Sequence, residues 1–164
     1  MHTDDLDTHL DALVRSAETP REKAVDVMLA LQRRYGYLSD EALERGSRIL
    51  GLTPLELEEL ATFYDFIYRE PVGRYVIHVC DGVVCWMHHE NAVFDHLRRR
   101  LGLEHGQTSA DGMFTLLPVS CIGDCHNAPS MMINGQFYGR LTPSGVDRIL
   151  EEYRNKPAEP PSYG

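Results

Sequence analysis

Up to about residue 70 the apolar positions recur every three or four residues, the period of helices that bury one face. Ala24, Met28, Leu31 and Tyr35 keep this spacing, and Gly36 predicts the stop, since glycine accepts the conformation that ends helices. Leu57, Leu60, Ala61 and Tyr64 repeat the pattern. Both runs follow a Thr-Pro-x-Glu start, "TPRE" at Thr19 to Glu22 and "TPLE" at Thr53 to Glu56. Threonine caps free backbone amides, proline suits the first helical position, and glutamate reaches back to complete a capping box. "SDEALERGSRILG" (Ser39 to Gly51) supplies a third helix between them, and a weaker one runs from Asp5 to Ala17. The tyrosines and methionines at helical spacing are expected in the core. This part, residues 1–70, reads as a helical domain without a cysteine.

After "EPVG" (Glu70 to Gly73) the pattern changes. "RYVIHVC" (Arg74 to Cys80) is β-branched and aromatic and predicts a strand that ends on a cysteine. "NAVFDHLRRRLG" (Asn91 to Gly102) predicts a helix with Val93, Phe94, Leu97 and Leu101 on one face. "FTLLPVSC" (Phe114 to Cys121) predicts a second strand closed by a cysteine, and "SMMINGQFYGRL" (Ser130 to Leu141) a hairpin turning at Asn134-Gly135. A last helix, Thr142 to Lys156, repeats the Thr-Pro start, and "PAEPPSYG" reads as a loose tail. The order β-α-β-β-β-α over residues 71–164 predicts a parallel pair with a right-handed crossover, then antiparallel strands. The cysteine loops then leave the strand ends, where such sheets carry function.

The 164 residues suit one domain or two small ones. No apolar run approaches the ~20 residues of a membrane span. The acidic start "MHTDDLDTHL" lacks the basic and apolar regions of a secretory signal. A cytosolic location is the expectation, where thiols stay reduced, and this disfavours structural disulfides. A net charge of −9 argues against nucleic acid and suits docking on a basic partner. The basic cluster Arg98 to Arg100 ends a predicted helix, where it offsets the dipole.

The four cysteines carry the chemistry. Their spacing is Cys-x4-Cys (Cys80, Cys85), then 35 residues, then Cys-x3-Cys (Cys121, Cys125). Four thiolates from two loops suit zinc or an iron–sulfur cluster. Structural zinc usually takes tighter Cys-x2-Cys knuckles, so the wider loops favour two irons, while zinc and redox thiols stay open. Gly82 and Gly123 lie inside the loops, where a bare backbone can approach a cluster closely. His78, His88, His89, His96 and His126 read as solvated or supporting residues, because the cysteines already complete a ligand set. Trp86 reads as a packing or interface residue rather than an electron relay. No glycine-rich phosphate fingerprint assigns a flavin or nicotinamide site.

Together, "LATFY" (Leu60 to Tyr64), "PVGRYVI" (Pro71 to Ile77), "VCDGVVC" (Val79 to Cys85), "GQTSADGMFTLLPVSCIGDC" (Gly106 to Cys125), "APSMMIN" (Ala128 to Asn134) and "LTP" (Leu141 to Pro143) are specific. They resemble the family of small [2Fe–2S] subunits of bacterial NADH–quinone oxidoreductase (complex I). The resemblance implies an α+β chain: an N-terminal helical bundle followed by a thioredoxin-like [2Fe–2S] ferredoxin domain. It implies that Cys80, Cys85, Cys121 and Cys125 ligate one [2Fe–2S] cluster, the first pair on one iron and the second pair on the other. It implies an electron-transfer role without a complete active site on this chain. FMN and NADH would sit on a partner flavin subunit, with the large iron–sulfur subunit of the peripheral arm as a further neighbour. The complex would hold the chain at the inner face of the cell membrane without direct insertion. In the family this cluster lies off the main wire toward quinone, which implies storage or tuning. The small subunit of an NAD-linked hydrogenase or formate dehydrogenase is the alternative within the same chemistry. Two positions depart from the family pattern: His89, where glycine is common, and Asp124, where a small or neutral residue is common.

Overall fold

The computed structural model describes residues 3–88 and 90–157. His89 and the tail from residue 158 lie outside the described residues. The chain divides into two compact units, one ending at Pro71 and one beginning at Val72.

The first unit has four helices: α1 (Thr3–Arg15), α2 (Ala24–Tyr35), α3 (Asp40–Leu50) and α4 (Pro54–Phe63). The two Thr-Pro starts differ. At α4 the Thr53 hydroxyl accepts the Glu56 amide at 3.2 Å, and the Glu56 carboxylate accepts the Thr53 amide at 2.9 Å. At Thr19 the chain first makes a 3-10 turn (Pro20–Lys23), and the α-helix starts only at Ala24. Gly36 and Gly51 end α2 and α3 in the left-handed conformation. Leu6, Leu10, Val27, Met28, Leu31, Leu57 and Ala61 form the core. Buried Gln32 ties down the segment after α4: its Nε2 donates to the Phe66 carbonyl at 2.8 Å, and its Oε1 accepts the Tyr68 amide at 2.6 Å. Tyr35 and Tyr64, expected in the core, are exposed. Tyr35 is the last residue of α2, and Tyr64 is the residue just past the end of α4.

The second unit is a four-stranded mixed sheet with helices. Its strands are β1 (Tyr75–Cys80), β2 (Phe114–Val119), β3 (Met131–Ile133) and β4 (Gln136–Tyr138), in the order β2-β1-β3-β4. β1 and β2 are parallel; β3 is antiparallel to both β1 and β4. The hairpin turns at Asn134 and Gly135, with φ of 45° and 85°, as a primed two-residue turn requires. Between β1 and β2 lie α5 (Val83–Met87) and α6 (Glu90–Leu101), and α7 (Pro143–Asn155) closes the unit. Tyr75, Ile77 and Val79 of β1 join Val93, Leu97, Phe114, Leu116, Val146 and Leu150 in one core. The alternate residues Val76, His78 and Cys80 point to the other face and are buried as well. Residues 83–87 were expected to be loop; they form a helical turn because the Trp86 amide donates back to the Gly82 carbonyl at 2.9 Å. Arg98 pairs with Asp95 and Glu104, and Arg100 with Asp147 and Glu151, so the basic cluster is spent on neighbouring carboxylates. Among the described residues no helix is long and apolar enough to cross a membrane.

Candidate metal centre

The parallel register decides where the cysteines go. Cys80, the last residue of β1, pairs with Val119, the last residue of β2. Both chains therefore leave the sheet at the same end, and the Asp81 amide still donates to the Val119 carbonyl at 2.8 Å. β2 stops two residues before Cys121, so that cysteine lies on the loop and does not close the strand as expected. β1 offers no ladder beyond Cys80 for β2 to continue on.

The first pair is buried. α5 folds back from Gly82 and carries the Cys85 side chain inward. Its sulfur lies 3.6 Å from the hydroxyl of buried Ser130, whose carbonyl accepts the Cys80 amide at 3.2 Å. Ser130 thus braces both members of the pair, a role that nothing in its sequence context announced. The second pair is exposed, with 3.8 Å between the sulfurs of Cys121 and Cys125. A 3-10 turn (Cys125–Asn127) positions Cys125. The Arg140 amide donates to the Asn127 carbonyl at 2.5 Å and fastens that turn to the end of the hairpin. A methyl group on Gly139 would overlap the Asn127 side chain and come within 2.8 Å of its carbonyl oxygen. Gly139 is therefore part of the support of Cys125, and sequence reasoning missed it because the contact is tertiary.

The two loop glycines serve different needs. Gly82 has an ordinary extended conformation (φ −71°, ψ 152°), but a Cβ there would stand 2.9 Å from the Ser120 carbonyl oxygen and 3.4 Å from the Cys80 sulfur. It is glycine for space. Gly123 has no protein atom within 4 Å of its notional Cβ; its φ of +84° is what requires glycine. Gly82 is thus explained by its protein neighbours and Gly123 by its backbone angle.

The thiols interact across the loops. Cys80 and Cys85 influence one another, and so do Cys80 and Cys121 across the loops. Burial pushes the Cys80 thiol up to about 11, against the pull of amides from Ile122 and Gly82. The Gly123 amide, 3.3 Å from the Cys121 sulfur, lowers that thiol, and Cys125 assists. Cys121 in turn raises Cys125. Among the described residues no three His, Cys, Asp or Glu side chains close around one point as a single ion needs. A [2Fe–2S] cluster asks for two thiolates on each of two irons and, being anionic, for donors directed at its sulfurs. The donor set and the amides of Gly82, Ile122 and Gly123 fit that group.

Asp124 is almost covered. Its carboxylate accepts Asn127 Nδ2 at 2.9 Å and lies 3.5 Å from His126 Nδ1. His88 and His126 are exposed beside the loops. His78 is buried on β1, and His96 is half-buried with its Nε2 3.0 Å from Asp147 on α7. Trp86 is 59% exposed, and so are its neighbours Val83 and Met87 to a similar degree; it does not pack within the chain.

The model of the thioredoxin-like [2Fe–2S] ferredoxin family matches residues 10–154. A subunit of the NADH-quinone oxidoreductase of Pseudomonas aeruginosa is 40% identical over 136 residues, which is 83% of this chain and 82% of that one. The corresponding Escherichia coli K12 protein is 38% identical over 137 residues, 84% of this chain and 82% of its own. Among solved structures, an NAD+-reducing [NiFe]-hydrogenase in its H2-reduced state superposes with a TM-score of 0.67 at 30% identity. That match covers 80% of this chain and only 22% of the hydrogenase chain.

Proposed function

The chain belongs to the thioredoxin-like [2Fe–2S] ferredoxin family, and from that premise we propose that it is the small electron-transfer subunit of an NADH–quinone oxidoreductase. Cys80 and Cys85 hold one iron of a [2Fe–2S] cluster, and Cys121 and Cys125 hold the other. The observation that carries this reading is the meeting of a buried and an exposed thiol pair at one sheet end, with backbone amides directed at their sulfurs.

When bound, the cluster supplies one-electron redox chemistry. The chain's own residues supply the rest. β1 and Ser130 fix the inner pair, and Gly82 lets the two loops approach. The amides of Gly82, Ile122 and Gly123 stabilise negative charge on the sulfurs, and Asp124 sets a carboxylate next in sequence to Cys125. NADH gives up two electrons as a hydride, so a carrier limited to single electrons needs a flavin between itself and NADH. The partner is accordingly a subunit carrying FMN and the NADH site, with the large iron–sulfur subunit of the peripheral arm nearby. Through them the chain sits at the inner face of the cell membrane.

A role in an NAD-linked hydrogenase is the second reading, favoured by the structural match to such an enzyme. The relatives from NADH-quinone oxidoreductases match over four-fifths of both chains, which puts the quinone-linked complex first. The test is visible absorption, EPR and iron and sulfide content of the anaerobically purified chain, before and after dithionite. Two irons, two sulfides and an EPR signal that appears on reduction are expected. A colourless protein with one zinc would overturn the reading.

A further inference from the structure

The helix α4 is apolar on two sides. Leu57 and Ala61 are buried in the core of the first unit, while Leu55 and Phe63 are 69% and 78% exposed and Tyr64 is 40% exposed. Helical spacing sets Leu55, Glu59 and Phe63 along one stripe about 12 Å long. The Phe63 and Tyr64 rings stack edge to face at 5.4 Å between centroids, which forms a continuous aromatic knob at the helix end. The inner face of α4 is already covered in the core, so the exposed Leu55 and Phe63 on its outer side are not part of that packing.

Within α4 and the turn after it the charged side chains are all acidic. From Pro54 to Phe66 the chain has four carboxylates and no lysine or arginine. Glu56 pairs with Arg21 and Glu58 with Arg69. Glu59 and Asp65, which flank the knob, make no ion pair among the described residues. We propose that this stripe is a docking surface for another subunit of the same oxidoreductase, one that offers an apolar pocket for Phe63 rimmed by lysine or arginine. The inference rests on the reading of the chain as one subunit of a larger complex.

Charge selects this occupant over the others. A second copy docked about a two-fold axis would meet the same patch, placing Glu59 and Asp65 against their own equivalents with no cation between them. An anionic lipid surface would meet the same carboxylates and be repelled. A basic-rimmed protein face satisfies both the carboxylates and the aromatic knob, and aromatic side chains are what the centres of such interfaces favour.

The test places p-benzoylphenylalanine at position 63 of the full chain and irradiates the assembled complex. The expected result is a crosslink to a different subunit, in a segment containing lysine or arginine. Crosslinks confined to this chain, to a second copy or to lipid, or no crosslink from a chain present in the complex, would overturn the proposal. As a second measurement, Phe63→Glu should leave the melting temperature and visible spectrum of the isolated chain unchanged. It should reduce the chain recovered with the complex at least about tenfold; undiminished recovery overturns the docking surface. A missing [2Fe–2S] spectrum beside a crosslink to a foreign subunit would sink the functional reading and leave the docking surface standing. A native spectrum with crosslinks only to itself would do the reverse.

Discussion

Replacing Gly82 with alanine separates space from backbone angle as the reason for glycine between the cysteine loops. The position is extended (φ −71°, ψ 152°), so alanine meets no conformational penalty. By restricting the unfolded chain it would, on that ground alone, stabilise the fold by about 0.4–1 kcal/mol. Against this stands contact. The new methyl would lie 2.9 Å from the Ser120 carbonyl oxygen, 3.4 Å from the Cys80 sulfur and 3.8 Å from the Cys121 Cβ. The nearest of these is backbone, which cannot rotate away, and overpacking of this kind costs about 1–3 kcal/mol. The net expectation is a loss of about 1.3 kcal/mol from the mid-points of those two ranges, with bounds of about 0 and 2.6 kcal/mol. Because the Gly82 amide also reaches the Cys80 sulfur, the displacement falls on the cluster site, and the EPR signal should broaden or shift. Urea unfolding of the apo chain measures the first effect without interference from cluster loss; EPR of the loaded, reduced chain measures the second. A Gly82→Ala chain with an equal or higher urea midpoint and a native EPR signal would refute the reasoning. Gly123 is the control. There the cost of a side chain is the left-handed backbone, about 1–2 kcal/mol, and asparagine should recover part of what alanine loses. Asparagine at position 82 should recover nothing.

Four further outcomes are expected. Cys121→Ser should lose or distort the cluster, and two irons per chain with an unaltered visible spectrum would remove Cys121 from the ligand set. Asp124→Asn removes a carboxylate one residue from Cys125 and should raise the reduction potential, on the order of tens of millivolts; an unchanged midpoint in an EPR-monitored redox titration counts against it. In the apo chain at pH 8, iodoacetamide should label Cys121 first, since it is exposed and its thiol is lowered by the Gly123 amide. Cys125 should follow, and buried Cys80, raised to about 11, should label last, as peptide mass spectrometry would report. Asp147 is held below the usual carboxylate range by His96 and then Arg100. Its contribution to stability is therefore present above about pH 4 and lost as pH falls through its lowered folded value. Asp147→Asn should lower the urea midpoint at pH 7 and lower it progressively less as the pH falls below about 4, and an equal effect across that range would contradict the assignment.

What was legible in the sequence was mostly local chemistry. Thr53 and Glu56 close a capping box from residues three apart, and Asn134-Gly135 dictates its own turn, so both could be read without knowing the fold. The cysteine loops were legible as a ligand set because spacing and strand ends are local too. The five residues of α5 are too few to show a period, and their hydrogen bond to Gly82 was not visible. Ser130 and Gly139 act on the cysteines through partners distant in sequence, Cys80 and Cys85 for Ser130 and Asn127 for Gly139. Tyr35, Tyr64 and Trp86 mark another boundary: apolar identity predicts burial, but not whether the burying surface belongs to this chain. Exposed Phe63 and Trp86 are what that ambiguity looks like in one member of a complex.

The two cysteine pairs are unequal, and the inequality divides what the chain does. Cys80 closes β1, whose six residues are all buried, and Cys85 rests against Ser130, so the inner pair is held by the sheet itself. The outer pair is held by a short loop with one left-handed glycine, one nearly covered carboxylate and one turn fastened to Gly139 and Arg140. Changes at the inner pair's supports must therefore disturb folding before they disturb the cluster's energy. A change at Asp124 touches little that the fold depends on, yet alters the charge nearest the exposed sulfurs. Ser130→Ala and Asp124→Asn should thus separate: the first lowering the unfolding midpoint of the apo chain, the second moving the potential with the midpoint unchanged. If both substitutions moved both quantities alike, the two loops would be a single unit, and the outer loop would not be the place where this chain sets its potential.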